Sequence, residues 1–143
     1  MSSMTPVVVN DGKATPVAHT FSPVTVKPDS SGAVVAKWVD RSAAQAIGWS
    51  HLTYGVREPL NSSRSSDGFY DIKVKLDYPI LEALAPNGNG FTPAPTIAYT
   101  LGGQSIFKLP ERASNAEITD LIAMHINALN ALKAEIIARE PRY

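Results

Sequence analysis

Tyr70-Asp71-Ile72-Lys73-Val74-Lys75-Leu76 alternates apolar and charged residues without a break. Side chains along a strand point to opposite faces with a period of two. Tyr70, Ile72, Val74 and Leu76 therefore share one face, and Asp71, Lys73 and Lys75 share the other. The apolar set is β-branched and aromatic, which suits a half-buried pleated surface. The opposite set carries two ammonium groups about 7 Å apart, two residues' rise along a strand. One face must be covered by protein, and the other is free to meet an anion.

The neighbouring stretches share this period. Ala33 to Val39 places Val34, Ala36 and Trp38 on one face and Val35, Lys37 and Val39 on the other. Ile47 to Val56 is a strand region in which Leu52, Tyr54 and Val56 oppose His51, Thr53 and Arg57, with Gly48 and Gly55 marking bulges or close backbone approach. Glu58 to Gly68 is the polar loop of a long hairpin, and the central strand runs from Phe69 to about Tyr78. Pro86, Asn87, Gly88, Asn89, Gly90, Pro93 and Pro95 exclude regular structure from Ala85 to Pro95, which reads as a projecting loop. Thr96 to Leu109 is the last strand region, interrupted by Gly102-Gly103, with Gln104, Ile106 and Lys108 on one face. Nearer the start, Pro6 to Val9 and Val17 to Val26 flank Asn10-Asp11-Gly12, a hairpin turn signal, and Lys27 to Gly32 is a second turn.

After Pro110 the period changes. Ser114-Asn115-Ala116-Glu117 is a capping box. Ile118, Leu121, Ile122, Leu129, Leu132 and Ile136 follow at helical spacing, with Asp120, Asn127 and Glu135 on the far side. Nothing breaks the pattern before Pro141, so about 24 residues give a helix of roughly 36 Å, with a bend expected near Asn127-Ala128 if anywhere. The class is α+β: an N-terminal β-hairpin, an antiparallel sheet and a C-terminal helical segment in one domain. The parts are residues 1–26, 33–109 with the loop 85–95, and 114–140 of a single unit 1–143. A helix about 10 Å across covers only part of one face of a sheet of about seven strands, roughly 30 Å wide. Leaving the rest in water is unfavourable. The natural remedy is a second copy related by a two-fold axis, giving an obligate homodimer with helices on one side and the polar sheet face on the other.

Composition narrows the function. The 143 residues are 44% hydrophobic and 18% charged with a formal net charge of zero, so a chain that coats nucleic acid by bulk charge is excluded and any such binding needs a local patch. There is no cysteine, hence neither disulfide framework nor thiolate metal site. No signal peptide and no apolar run long enough to span a membrane is visible. Asn61-Ser62-Ser63 matches a glycosylation sequon, which without a secretory signal carries no weight. His19 and His51 lack metal spacing, and no nucleophile, base and orienting group fall into a known motif. An enzyme is not expected, nor is a cofactor or metal. His125 in the apolar helical stripe reads as a hydrogen-bonded interface histidine, and Trp38 and Trp49 as core or loop anchors.

The ordered set of motifs resembles the coat proteins of single-stranded RNA bacteriophages, the levivirus-like family. The similarity lies in Ala14-Thr15-Pro16 with His19-Thr20-Phe21, Gly32 to Trp38, Thr53 to Arg57 followed by Tyr70 to Leu76, Leu109-Pro110 through Asn115 with Asp120-Leu121-Ile122, and the terminal Tyr143. The resemblance implies an N-terminal hairpin, a five-stranded sheet and C-terminal helices. It implies intertwined dimers that build an icosahedral shell with triangulation number three, assembled in the cytoplasm of a bacterial host. It also implies an inward sheet face that packages genomic RNA and holds a hairpin at the replicase start, repressing translation. By position, Thr53, Arg57, Asp71, Lys73, Lys75, Gln104 and Lys108 would face RNA. Ile118, Leu121, Ile122, His125, Leu129 and Leu132 would form the dimer interface, and Asn87, Gly88, Asn89 and Gly90 the contacts between dimers. Gly55 stands where relatives have a hydroxyl, Asp71 where a neutral polar group is usual, and Gly102-Gly103 near a stacking aromatic; these differences count against tight hairpin recognition but not against packaging. The rival readings are a non-viral dimeric RNA- or peptide-binding module and a small hydrolase or isomerase resting on the histidines.

Overall fold

Six strands follow one another in the sheet in chain order, each antiparallel to the last: β1 (Val7–Asn10), β2 (Ala18–Pro28), β3 (Val34–Asp40), β4 (Ser50–Arg57), β5 (Phe69–Leu81) and β6 (Ile97–Pro110). Two helices end the chain, α1 (Asn115–Ala131) and α2 (Lys133–Ala138). The computed structural model describes residues 3–59 and 68–141; the Asn61-Ser62-Ser63 sequon, most of the Glu58–Gly68 connection and Tyr143 lie outside the described residues. The expected hairpin and five-stranded sheet share a strand. β2 pairs with β1 on one side and with β3 on the other, so there are six strands rather than about seven. Pro23 does not stop β2, because the ladder shifts register between Pro23 and Thr25 where the missing N–H would fall.

Asn10-Asp11-Gly12 does not make a tight two-residue turn. β1 ends at Asn10 and β2 begins at Ala18, and Asp11 closes the longer loop: its N–H donates to Val17 O at 3.0 Å and its Oδ1 accepts from Val17 N at 2.9 Å. Nor do Gly102 and Gly103 interrupt β6; they stay in register opposite Asp77 and Leu76. Gly48 does mark a close approach. It lies in a 3-10 turn, Ala46–Gly48, where an added Cβ would meet Leu81 Cδ1 at 3.0 Å and Ala43 Cβ at 3.1 Å.

Two turns use one device. In the β2–β3 turn, Asp29 N donates to Ala33 O, Gly32 N donates to Asp29 O, and Asp29 Oδ1 accepts from Ser31 N at 2.7 Å and Ala33 N at 3.2 Å. In the β5–β6 loop, Asn87 N donates to Phe91 O, Gly90 N donates to Asn87 O, and Asn87 Oδ1 accepts from Asn89 N at 3.1 Å and Phe91 N at 2.9 Å. Gly32 and Gly90 have φ of 80° and 76°, a region that β-carbons disfavour.

The capping box forms as the sequence predicts, with Glu117 N donating to Ser114 Oγ and Ser114 N to Glu117 Oε2. The helical segment does not run as one piece, and its break lies at Leu132 (φ −98°, ψ 5°), not near Asn127-Ala128. Hydrogen bonds reach Leu132 from both sides, from Leu132 N to Ala128 O and from Ile136 N to Leu132 O, so this residue serves as C-cap of α1 and N-cap of α2. Arg139 ends α2 in the left-handed region at φ 60°.

Phe21 and Val39 are the only large apolar residues that are buried among the described residues, each 4% exposed. α1 touches the sheet through His125, whose Nε2 lies 3.2 Å from Ser105 Oγ and whose ring stands edge-on to Phe107 at 5.1 Å between centroids. Met124, Ile126, Ile136 and Ile137 stay more than half exposed. Glu135, expected on the far side, is half-buried instead. The single chain exposes 10866 Å², whereas a compact monomer of 15.3 kDa would expose about 7,100 Å².

Candidate nucleic-acid interface

Residues directly opposite in an antiparallel ladder lie on the same face, so the register assembles the polar surface row by row. One row runs Thr25, Lys37, Thr53, Lys75, Gln104. The next runs Lys27, Val35, Gly55, Lys73, Ile106. A third joins Arg57, Asp71 and Lys108. All seven residues named from the sequence, Thr53, Arg57, Asp71, Lys73, Lys75, Gln104 and Lys108, therefore come together on one face. Ser105, Phe107 and α1 lie on the other, as the alternation in Tyr70–Leu76 requires.

The sequence reading missed Lys27 and Lys37 as members of this surface. Lys37 had the right parity, but only strand order places β3 beside β4; Lys27 was assigned to a turn, and β2 runs through it to Pro28. With them the face carries six cations, Lys27, Lys37, Arg57, Lys73, Lys75 and Lys108, against the carboxylates of Asp71 and Asp77. The carboxylates are already engaged. Arg57 Nη2 pairs with Asp71 Oδ2, and Lys75 Nζ lies 2.8 Å from Asp77 Oδ2. Lys27, Lys37, Lys73 and Lys108 make no ion pair among the described residues. A near-neutral chain thus concentrates positive charge on one sheet face, the local patch that its composition demanded.

Within this face a depression of about 560 Å³ is floored by Val35, Gly55 and Ile106 and edged by Arg57, Lys73, Lys108 and the Asp29–Ala33 turn. The absent side chain at Gly55 leaves the floor flat, and a Cβ there would only touch Val35 at 3.5 Å. The Ser31 hydroxyl and the turn's N–H groups hold the Asp29 carboxyl below its usual range, so the rim stays anionic at neutral pH. His51, on the same face in the row of Val39 and Asp77, is held below its usual range by burial and by the Lys37 charge. It is neutral at pH 7 and adds nothing to the patch.

The three histidines do not meet. His19 Nδ1 lies 2.7 Å from Asp40 Oδ2 and its Nε2 3.6 Å from Asp11 Oδ2, tying the N-terminal hairpin to the end of β3. The Trp residues act as anchors: Trp38 Nε1 donates to Thr5 O at 2.9 Å, and Trp49 Nε1 to Ala43 O at 3.0 Å beneath the Arg41 guanidinium. No group of three metal-ligating side chains gathers among the described residues.

Comparison with known proteins agrees with this layout. The family profile described as Levivirus coat protein matches residues 2–139. This chain belongs to the Levivirus coat protein family. The coat protein is thus a structural component of a phage virion and not an enzyme, and the resemblance drawn from the motifs holds. The coat protein is similar to that in the virus-like particle of bacteriophage ESE058, with 31% identity and a TM-score of 0.83 over 99% of this chain and 100% of that one. It shares the fold of the virus-like particle of Beihai levi-like virus 21 at 22% identity and a TM-score of 0.76 over 99% of each chain. It also shares the fold of the bacteriophage GA protein capsid at 19% identity and a TM-score of 0.66 over 96% of each. No curated protein sequence matches it. Family membership sets aside the hydrolase and the non-viral binding module.

Proposed function

We propose that this coat protein pairs with a second copy through its apolar face, assembles as dimers into an icosahedral shell, and packages phage genomic RNA against the cationic sheet face. The observation that carries the RNA reading is the segregation of six cations, four of them unpaired, onto the face opposite α1. Lysine and arginine meet phosphates and position RNA without reading its sequence. The depression over Gly55 leaves room for an unpaired base beside the Arg57 guanidinium, and a hairpin bound there at the replicase start would repress translation, though without a hydroxyl contact, which Gly55 cannot make. One domain serves all of this, with the hairpin, sheet, projecting loop and helical segment as its working parts.

The dimer is supported by area. The chain exposes 10866 Å², an excess of about 3,700 Å² over a compact monomer. Obligate interfaces bury a total of about 2,000–5,000 Å² over both partners, so about 1,000–2,500 Å² from each, and the excess is ample for one. Leu121, Ile122, Leu129 and Leu132 are each about two-fifths exposed in the single chain, and with Ile118 they form the surface offered to the partner, while His125 fixes the helix to the chain's own sheet at the edge of that surface. The exposed Asn87–Gly90 tip is the part of the loop offered to neighbouring dimers.

The test is electron microscopy of the purified coat protein expressed in bacteria, with nuclease-protected RNA measured in the same fractions. Shells containing RNA are expected. Small soluble species alone would overturn the assembly reading. Shells with no RNA would overturn the assignment of the sheet face.

A further inference from the structure

Asn87-Gly88 and Asn89-Gly90 are the two places where asparagine precedes glycine in this chain. Both lie in one exposed turn, yet their surroundings differ in the groups that matter for cyclisation. We infer that Asn87 is a site of spontaneous deamidation, converting ahead of Asn89, and that the turn is already shaped to hold the aspartate it becomes.

The reaction needs a free backbone nitrogen and an electrophilic side-chain carbon. The Gly88 nitrogen attacks Asn87 Cγ, an N–C bond forms, and the Cγ–Nδ2 bond breaks. Ammonia leaves with the proton that Gly88 N gives up, and water then opens the succinimide at either carbonyl. No oxidation state changes. At Asn87 the electrophile is activated: Oδ1, where negative charge gathers in the tetrahedral intermediate, accepts from two backbone N–H groups at 3.1 and 2.9 Å. The ring closed by the first of these hydrogen bonds encloses the Gly88 nitrogen itself. Gly88 N has no hydrogen-bond partner among the described residues, and a Cβ placed on Gly88 would meet nothing within 4 Å. At Asn89 the assignments reverse. The attacking nitrogen would be Gly90 N, which donates to Asn87 O at 2.8 Å, and the Asn89 side chain receives no backbone N–H among the described residues.

The product state is visible elsewhere in the molecule. The Asp29–Ala33 turn has the same backbone hydrogen bonds as the Asn87–Phe91 turn, with a carboxylate in place of the amide and the Ser31 hydroxyl as one further donor. There the Ser31 hydroxyl and the turn's N–H groups depress the carboxyl's pKa. Opening of the succinimide to ordinary aspartate at position 87 thus preserves the turn and adds a negative charge at the loop tip at neutral pH. Opening to isoaspartate lengthens the backbone by one carbon and cannot keep the Asn87 N to Phe91 O bond in place.

Peptide mapping by mass spectrometry of the full chain, incubated at mildly alkaline pH in native buffer and in denaturant, tests this. In native buffer, deamidation at Asn87 is expected about tenfold ahead of Asn89, a modest share of what a built oxyanion site achieves. In denaturant the two sites should converge. Gly88→Ala, at a position whose φ is not in the left-handed region, should slow Asn87 conversion several-fold with Asn89 unchanged. Equal native rates, Asn89 first, a ratio unaffected by unfolding, or a folded Gly88→Ala chain that reacts as fast as the parent would each overturn the inference.

Discussion

Replacing Lys73 with alanine removes one of four cations on the sheet face that make no ion pair among the described residues. Replacing Lys75 removes one that Asp77 already holds at 2.8 Å. The two substitutions are equal in formal charge, so any difference between them reports the geometry. Each phosphate neutralised by a single-stranded ligand contributes about −0.7 to the slope of log K against log salt. Four unpaired cations per chain, Lys27, Lys37, Lys73 and Lys108, then give a slope of about −2.8, or roughly a fifty-fold loss of affinity over a four-fold rise in salt. Lys73→Ala should flatten the slope by about 0.7 and the double variant with Lys108→Ala by about 1.4. Lys75→Ala should flatten it by less, because Asp77 already neutralises this ammonium and it displaces fewer counterions from the RNA. Lys13→Ala, a cation paired with Asp11 away from this face, should leave it unchanged. Fluorescence anisotropy of a labelled RNA, titrated at several salt concentrations with the dissociated protein, measures the slope directly. Equal slopes for parent and Lys73→Ala/Lys108→Ala would refute the reasoning, as would a Lys13→Ala effect as large as that of Lys73→Ala.

Other consequences follow from local geometry. Ser114→Ala removes the cap that meets Glu117 N and should cost about 1 kcal/mol of stability, read as a lower denaturation midpoint at unchanged m-value. Gly48→Ala puts a methyl 3.0 Å from Leu81 Cδ1 and 3.1 Å from Ala43 Cβ; Leu81 can swing aside but Ala43 cannot, so a loss of roughly 1–3 kcal/mol is expected by the same measurement. The Asp40 carboxylate beside His19, opposed in part by burial and reinforced by Asp11, holds the histidine above its ordinary value of 6.5. Its stabilising share is therefore complete below pH 6.5 and fades as pH rises through the folded value. Burial raises the Asp40 carboxyl, but hydrogen bonds from His19 and Ser42 outweigh it and leave the pKa below its ordinary 3.8; that share is present above pH 3.8 and fades on acidification. His19→Gln should flatten the alkaline limb of stability against pH, and an unchanged limb would dismiss the latch.

The alternation in Tyr70–Leu76 was enough to assign faces, because a period of two leaves a strand no other choice once one side is apolar. The same holds for the Ser114–Glu117 box, whose donors and acceptors lie within one turn. Local patterns also located the projecting loop, where proline and glycine forbid regular pairing. What sequence alone did not determine is anything that depends on which strand lies beside which. Lys27 and Lys37 join the cationic face because β2 and β3 extend the rows begun by β4 and β5. Gly102-Gly103 looks like a break in isolation and is a continuous ladder when β5 supplies its partners. The break at Leu132 carries no proline or glycine to announce it; a single residue at φ −98°, ψ 5° makes it. Side-chain parity is a property of the chain, but neighbourhood is a property of the sheet, and the charge that gives this surface its chemistry is summed over neighbours.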